Sequence, residues 1–184
     1  MNASSENLTV PRLVPQQPLP LYAFVPGQSP HPFSDPAGHS FGNKPSLPGK
    51  LDPEQWAASE AYLYGFDLFN QRYYWESHEQ WEGLWHACGR SGVVADFLKG
   101  LIKLAAAGVK HLEGKPKGVK SHACRAAELW REAARSRGAQ ADSFLGFRLE
   151  RLLGLAEAVC QEGWPSRPIF LLPTISDSGY RPGE

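Results

Sequence analysis

The chain has 184 residues, 42% of them hydrophobic and 11% aromatic, which suffices for one packed domain and argues against global disorder. Its formal net charge is zero, so no long-range field draws the whole molecule toward nucleic acid or anionic lipid. The three cysteines, Cys88, Cys124 and Cys160, form neither a C-x-x-C pair nor a zinc framework and read as core-filling thiols of a reducing compartment.

No basic segment followed by an apolar run opens the sequence, and the longest apolar stretch, Leu104 to Val109, is too short to span a bilayer. A cytoplasmic protein without membrane contact is the expectation.

Proline divides the chain. Eleven of the sixteen prolines precede Glu54, and residues 1–50 hold only two acids, Glu6 and Asp35. At that density, fixed φ angles and missing N–H groups forbid long helices. Residues 1–50 therefore read as a proline-rich arm, extended where ordered, with the apolar run Leu19 to Val25 able to dock on a folded surface. Residues 51–164 read as a helical domain and residues 165–184 as an extended tail.

Asp52-Pro53-Glu54-Gln55 has the form of a helix start, with an acid cap and proline at the first position. A first helix is expected from there to about Asn70, and a second from about Tyr73 to Cys88. A third is expected from about Val94 to Leu112, stopped by Gly114, and a fourth from Pro116 to before Gly138. A fifth opens after Asp142 and carries the apolar stripe Leu145, Leu149, Leu152, Ala156 and Val159. Ile169 to Leu172 reads as an extended segment laid on the bundle. The fold class is all-α, a compact bundle of about five antiparallel helices.

The second helix carries the chemistry. At about 100° per residue, Tyr74, Ser77, Trp81, Leu84, Trp85 and Cys88 share one apolar arc. His78 and Glu82, one turn apart, fall between Trp75 and Trp85 and should be at least half-buried. Glu79 and His86 lie just beyond Trp75, whereas Glu76, Gln80 and Gly83 should face water. A buried carboxylate must be hydrogen-bonded, metal-bound or protonated. Two readings follow: a structural network in which indole N–H groups tie helices together, or a functional site in which His78 and Glu82, at i, i+4 spacing, are metal ligands or an acid–base pair with Glu79 beside them.

His78-Glu79-Gln80-Trp81-Glu82 has the spacing of the zincin helix with Glu82 in place of the second histidine, and the chain has no Glu-x-x-His motif of the di-iron kind. His111, on the Leu104 and Ala107 face of the third helix, is the third candidate ligand. His39 and His86 are secondary candidates; a docked arm could deliver His31 or His39 to the second helix. Glu79 is the candidate catalytic base for a zinc or manganese ion.

Gly65, Leu68-Phe69-Asn70, Tyr74-Trp75-Glu76, His78-Glu79, Glu82, Trp85, the run Phe97 to Ala107 and His111 together resemble the bacterial and archaeal domain of unknown function 309 family, over roughly residues 56–130. The resemblance implies an all-helical domain and a predicted metal-dependent hydrolase acting on an unknown small molecule. It points to Glu76, His78, Glu79, Glu82 and His111. The competing class is a non-enzymatic scaffold with a tetratricopeptide-like helix pair and a protein partner. The bases Lys110, Lys115, Lys117, Lys120, Arg125 and Arg131 lack aromatic interleaving, so no nucleic-acid partner is expected.

Overall fold

The computed structural model describes residues 10–43, 47–137 and 143–175. A 3-10 turn at Trp56–Ala58 precedes five α-helices: α1 (Glu60–Asn70), α2 (Tyr74–Ala87), α3 (Val93–Leu112), α4 (Pro116–Arg137) and α5 (Leu149–Glu162). No strand occurs among the described residues, and α1 packs on α2, α2 on α3, α3 on α4 and α4 on α5. No helix among them is long and apolar enough to cross a membrane.

Helix starts follow local hydrogen bonding. α1 opens at Ser59, whose hydroxyl accepts from the Tyr62 N–H, and not at Asp52. Asp52 caps only a turn, taking the Glu54 N–H at 2.9 Å. Glycines in the left-handed region at Gly89 and Gly114 close α2 and α3, where a side chain would be strained.

The helix opening expected after Asp142 is not formed: residues 143–148 are not helical. The described α5 begins at Leu149, because Phe144 and Phe147 pair their backbones across a tight turn. Leu145 is accordingly not part of the α5 stripe. It sits in that turn at positive φ, with its carbonyl accepting from the buried Tyr62 hydroxyl.

Small residues let the layers approach. A Cβ on Gly65 would stand 2.2 Å from Trp81 Nε1, and one on Gly108 would stand 2.5 Å from the Tyr74 ring. These two contacts seat α2 against α1 and α3. The core then runs through Phe66, Phe69, Trp81, Leu98, Leu101, Leu104 and Trp130, all essentially inaccessible.

Past α5, Ile169 and Leu171 are buried, and Leu171 exchanges two hydrogen bonds with the Asn70 amide, at 2.8 and 3.0 Å. The extended tail segment is laid on the bundle as its apolar pattern suggested.

Cys124 on α4 and Cys160 on α5 are bonded as a disulfide, with Cα atoms 4.9 Å apart. This corrects the reading of three separate thiols; Cys88 alone is free. The two positions are 36 residues apart in sequence and meet only because the helices pack side by side.

Two buried carboxylates fasten the N-terminal arm to the bundle. Asp67 on α1 accepts the Leu13 and Val14 N–H groups at 2.7 and 2.8 Å, and Arg12 Nε lies 3.5 Å away. Glu76 on α2 accepts the Phe24 N–H at 2.8 Å. Val14 and Phe24 are buried where they meet the helices, and the Tyr64 hydroxyl donates to the Pro18 carbonyl. From His31 to Asn43 the arm runs through successive hydrogen-bonded turns.

Candidate acid–histidine site on α2

The rotation of α2 is set by its bonds to α1. Ser77 Oγ donates to the Gly65 carbonyl at 2.9 Å, Gln80 Nε2 to the Ala61 carbonyl at 3.2 Å and Trp81 Nε1 to the Tyr62 carbonyl at 3.3 Å. With those positions facing α1, His78, Glu79 and Glu82 are turned away from it. One ligand atom from each of these three residues lies within 4.8 Å of the other two, and all three are partly buried.

His78 Nδ1 is 3.3 Å from Glu79 Oε1 but makes no hydrogen bond, although the nitrogen is shielded from solvent. No lysine or arginine pairs with Glu79 or Glu82 among the described residues. Nor do the indoles donate to the acids: Trp81 is bonded to α1, and Trp85 Nε1 has no partner. Lys99 Nζ lies 4.7 Å over the Trp85 ring. The interhelical network that would have explained these side chains structurally is not formed.

The other sequence candidates go elsewhere. His111, half-buried, stacks on Trp164 with ring centroids 5.4 Å apart, and burial holds its pKa below the ordinary imidazole value, with Arg72 adding to the shift. His86 is exposed with its ring against Trp85. His39 is carried by the arm to α2, where its Nε2 lies 3.3 Å from Glu76 Oε1 and its Nδ1 bonds Ser40 Oγ at 2.8 Å. His31 packs edge-on against Trp75 at 5.4 Å. None of His111, His86 and His39 joins the group formed by His78, Glu79 and Glu82.

Glu76 corrects the helical-wheel reading, which turned it toward water. Its side chain is 6% exposed, covered by the arm at Phe24 and His39. Burial raises its pKa, and the Phe24 N–H and His39 oppose that rise without cancelling it. A wheel drawn for one helix cannot register a segment that packs from more than 50 residues upstream. The signal available was the apolar run Leu19 to Val25.

Several bases of α3, α4 and the connection between them are engaged internally. Lys110 and Lys115 pair with Glu113, Arg125 with Glu128, Arg131 with Glu157, and Lys120 donates to the Gln161 carbonyl.

The described residues thus form five packed helices with no strand among them, and α2 carries a cluster of one imidazole and two carboxylates. Residues 62–122 match the family model Domain of unknown function (DUF309). The match runs from α1 into α4 and contains Glu76, His78, Glu79, Glu82, His111 and His122; the arm lies outside it. No curated protein sequence matches the chain.

Proposed function

We propose that His78 and Glu82 bind one divalent metal ion, zinc or manganese, with Glu79 beside it as the base, and that the site serves hydrolysis. The observation that carries this reading is the convergence of two carboxylates and an unbonded, shielded imidazole nitrogen with no cationic side chain among them. Two carboxylates in one site repel each other, and a cation relieves that repulsion. Imidazole and carboxylate donors suit zinc and manganese, and two protein donors on a partly open surface leave room for water and substrate.

The ion would supply Lewis acidity toward a substrate carbonyl. His78 and Glu82, one turn apart, would hold it. Glu79, with a 39% exposed side chain, is the better placed to take a proton from the attacking water. As that water oxygen bonds the carbonyl carbon and the leaving group departs, the proton on Glu79 returns to the leaving atom.

The scaffold alternative needs an unoccupied helix-pair surface, and the arm already lies across the α1–α2 face through Asp67 and Glu76.

Melting curves with added metal test the reading. At ion concentrations near one hundred times Kd, binding to the folded state adds about 2.7 kcal/mol, or roughly 5–10 °C in Tm for a chain of this size. His78→Ala and Glu82→Gln should abolish that gain, and Glu82→Gln should leave the metal-free protein no less stable. Glu79→Gln should remove any hydrolytic activity found. Absence of metal-dependent stabilisation in the wild type would refute the proposal.

A further inference from the structure

Between the docked arm and the α1–α2 face lies a cleft of about 590 Å³, within the size range of small-molecule sites. Its wall carries three carboxylates, Glu60, Glu76 and Glu79, and its described lining has no lysine or arginine. Arg12 of the arm is beside Asp67 and outside the lining. Phe33 from the arm, Tyr64 from α1 and Trp75 from α2 contribute aromatic surface. Trp75 is held in place by edge contacts from Phe24 at 5.1 Å and His31 at 5.4 Å.

Glu76 adds an independent observation. Its side chain is 94% buried by complement of its 6% exposure, and Oε1 takes both the Phe24 N–H and the His39 ring. Oε2, on the same lining residue, has no hydrogen-bond partner. A carboxylate offers about four acceptor positions, and a buried oxygen with none filled is a vacancy for a donor.

We propose that this cleft binds a small organic cation, a protonated amine carried on an aromatic or apolar body. Carboxylates of one sign along a low-dielectric wall focus a field that draws in an ammonium group and repels carboxylates and phosphates. Aromatic faces accept the same cation by its attraction to the ring quadrupole and pack its apolar body. The deep carboxylate, Glu76, sets the negative end, and the more exposed Glu60 and Glu79 give direct contact near the rim.

Glu79 borders both this cleft and the acid–histidine group. Taking the amine as the substrate of that group rests on the metal-hydrolase reading; the binding itself does not.

Calorimetric titration of the full chain in chelator separates the two. Phenethylamine is the probe, and 3-phenylpropionate is its charge-reversed analogue of similar shape. The amine should bind at least about tenfold more tightly than the carboxylate, the difference of one charge-assisted contact. Glu60→Gln and Phe33→Ala should each weaken amine binding several-fold, the first by removing charge and the second by removing the arm's ring. Equal affinity for the two probes, no amine binding, or indifference to both substitutions would overturn the proposal. Amine binding that survives a failed metal titration would refute the hydrolase reading alone.

Discussion

Replacing Asp67 with asparagine should release the N-terminal arm. The Asp67 carboxylate is 2% exposed and receives two backbone N–H groups of the arm, at 2.7 and 2.8 Å, with Arg12 at 3.5 Å. Asparagine keeps the volume but only one acceptor oxygen, and it turns an NH₂ group toward a backbone donor. One charge-assisted hydrogen bond is lost, worth about 1.5–3 kcal/mol, and a second donor group is left facing a like group. The arm's docking should weaken by about 2–4 kcal/mol in all, a large share of what a segment held by a few contacts can have. Limited proteolysis at low protease, followed by mass spectrometry, reads this directly. Wild type should be cut slowly in the arm, and Asp67→Asn roughly thirty- to nine-hundred-fold faster, with the helical core left intact. Equal protection of the arm in both proteins would refute the anchoring role of Asp67.

Three further outcomes follow from the packing. Gly108→Ala should destabilise the domain by about 1–3 kcal/mol in urea unfolding, since the new methyl meets the buried Tyr74 ring at 2.5 Å. Reducing the Cys124–Cys160 disulfide should lower stability by about 3–4 kcal/mol, the chain-entropy expectation for a 36-residue separation, seen as a drop in Tm on adding reductant that Cys124→Ser reproduces. Burial raises the Glu76 pKa, so the folded state holds a proton more tightly than the unfolded chain does, and this group's contribution to stability falls as pH rises from the ordinary glutamate range through the raised folded value. Glu76→Gln should therefore gain stability relative to wild type as pH rises through that window in paired melting curves; a difference independent of pH would contradict it.

Much of the bundle was legible because its helices end at residues with strong local preferences. Gly114 and Pro116 bracket the α3–α4 connection, and Gly89 stops α2, as the sequence pattern indicates. Asp52-Pro53 misled because a cap acid followed by proline also starts an isolated turn, and Ser59 competes for the same role seven residues on. The α5 stripe was extended to Leu145 because periodicity cannot distinguish a helical position from an apolar turn residue buried beside it. The neighbouring spacing of His78, Glu79 and Glu82 is a local property of one helix, and the three do converge. Glu76 and the disulfide depend on surfaces that meet only after folding: the arm over α2 in one case, α4 against α5 in the other.

The most direct test of the account is the metal stoichiometry and ligand type of the full chain purified without a histidine tag. Calorimetric titration with zinc should give one ion per chain, and X-ray absorption should show one imidazole nitrogen at about 2.0–2.1 Å with oxygen neighbours and no sulfur. His78→Ala and Glu82→Gln should each bring the stoichiometry to zero under the same conditions. No zinc uptake by the wild type, or uptake that both variants retain, would contradict the assignment of His78, Glu79 and Glu82 as a metal site.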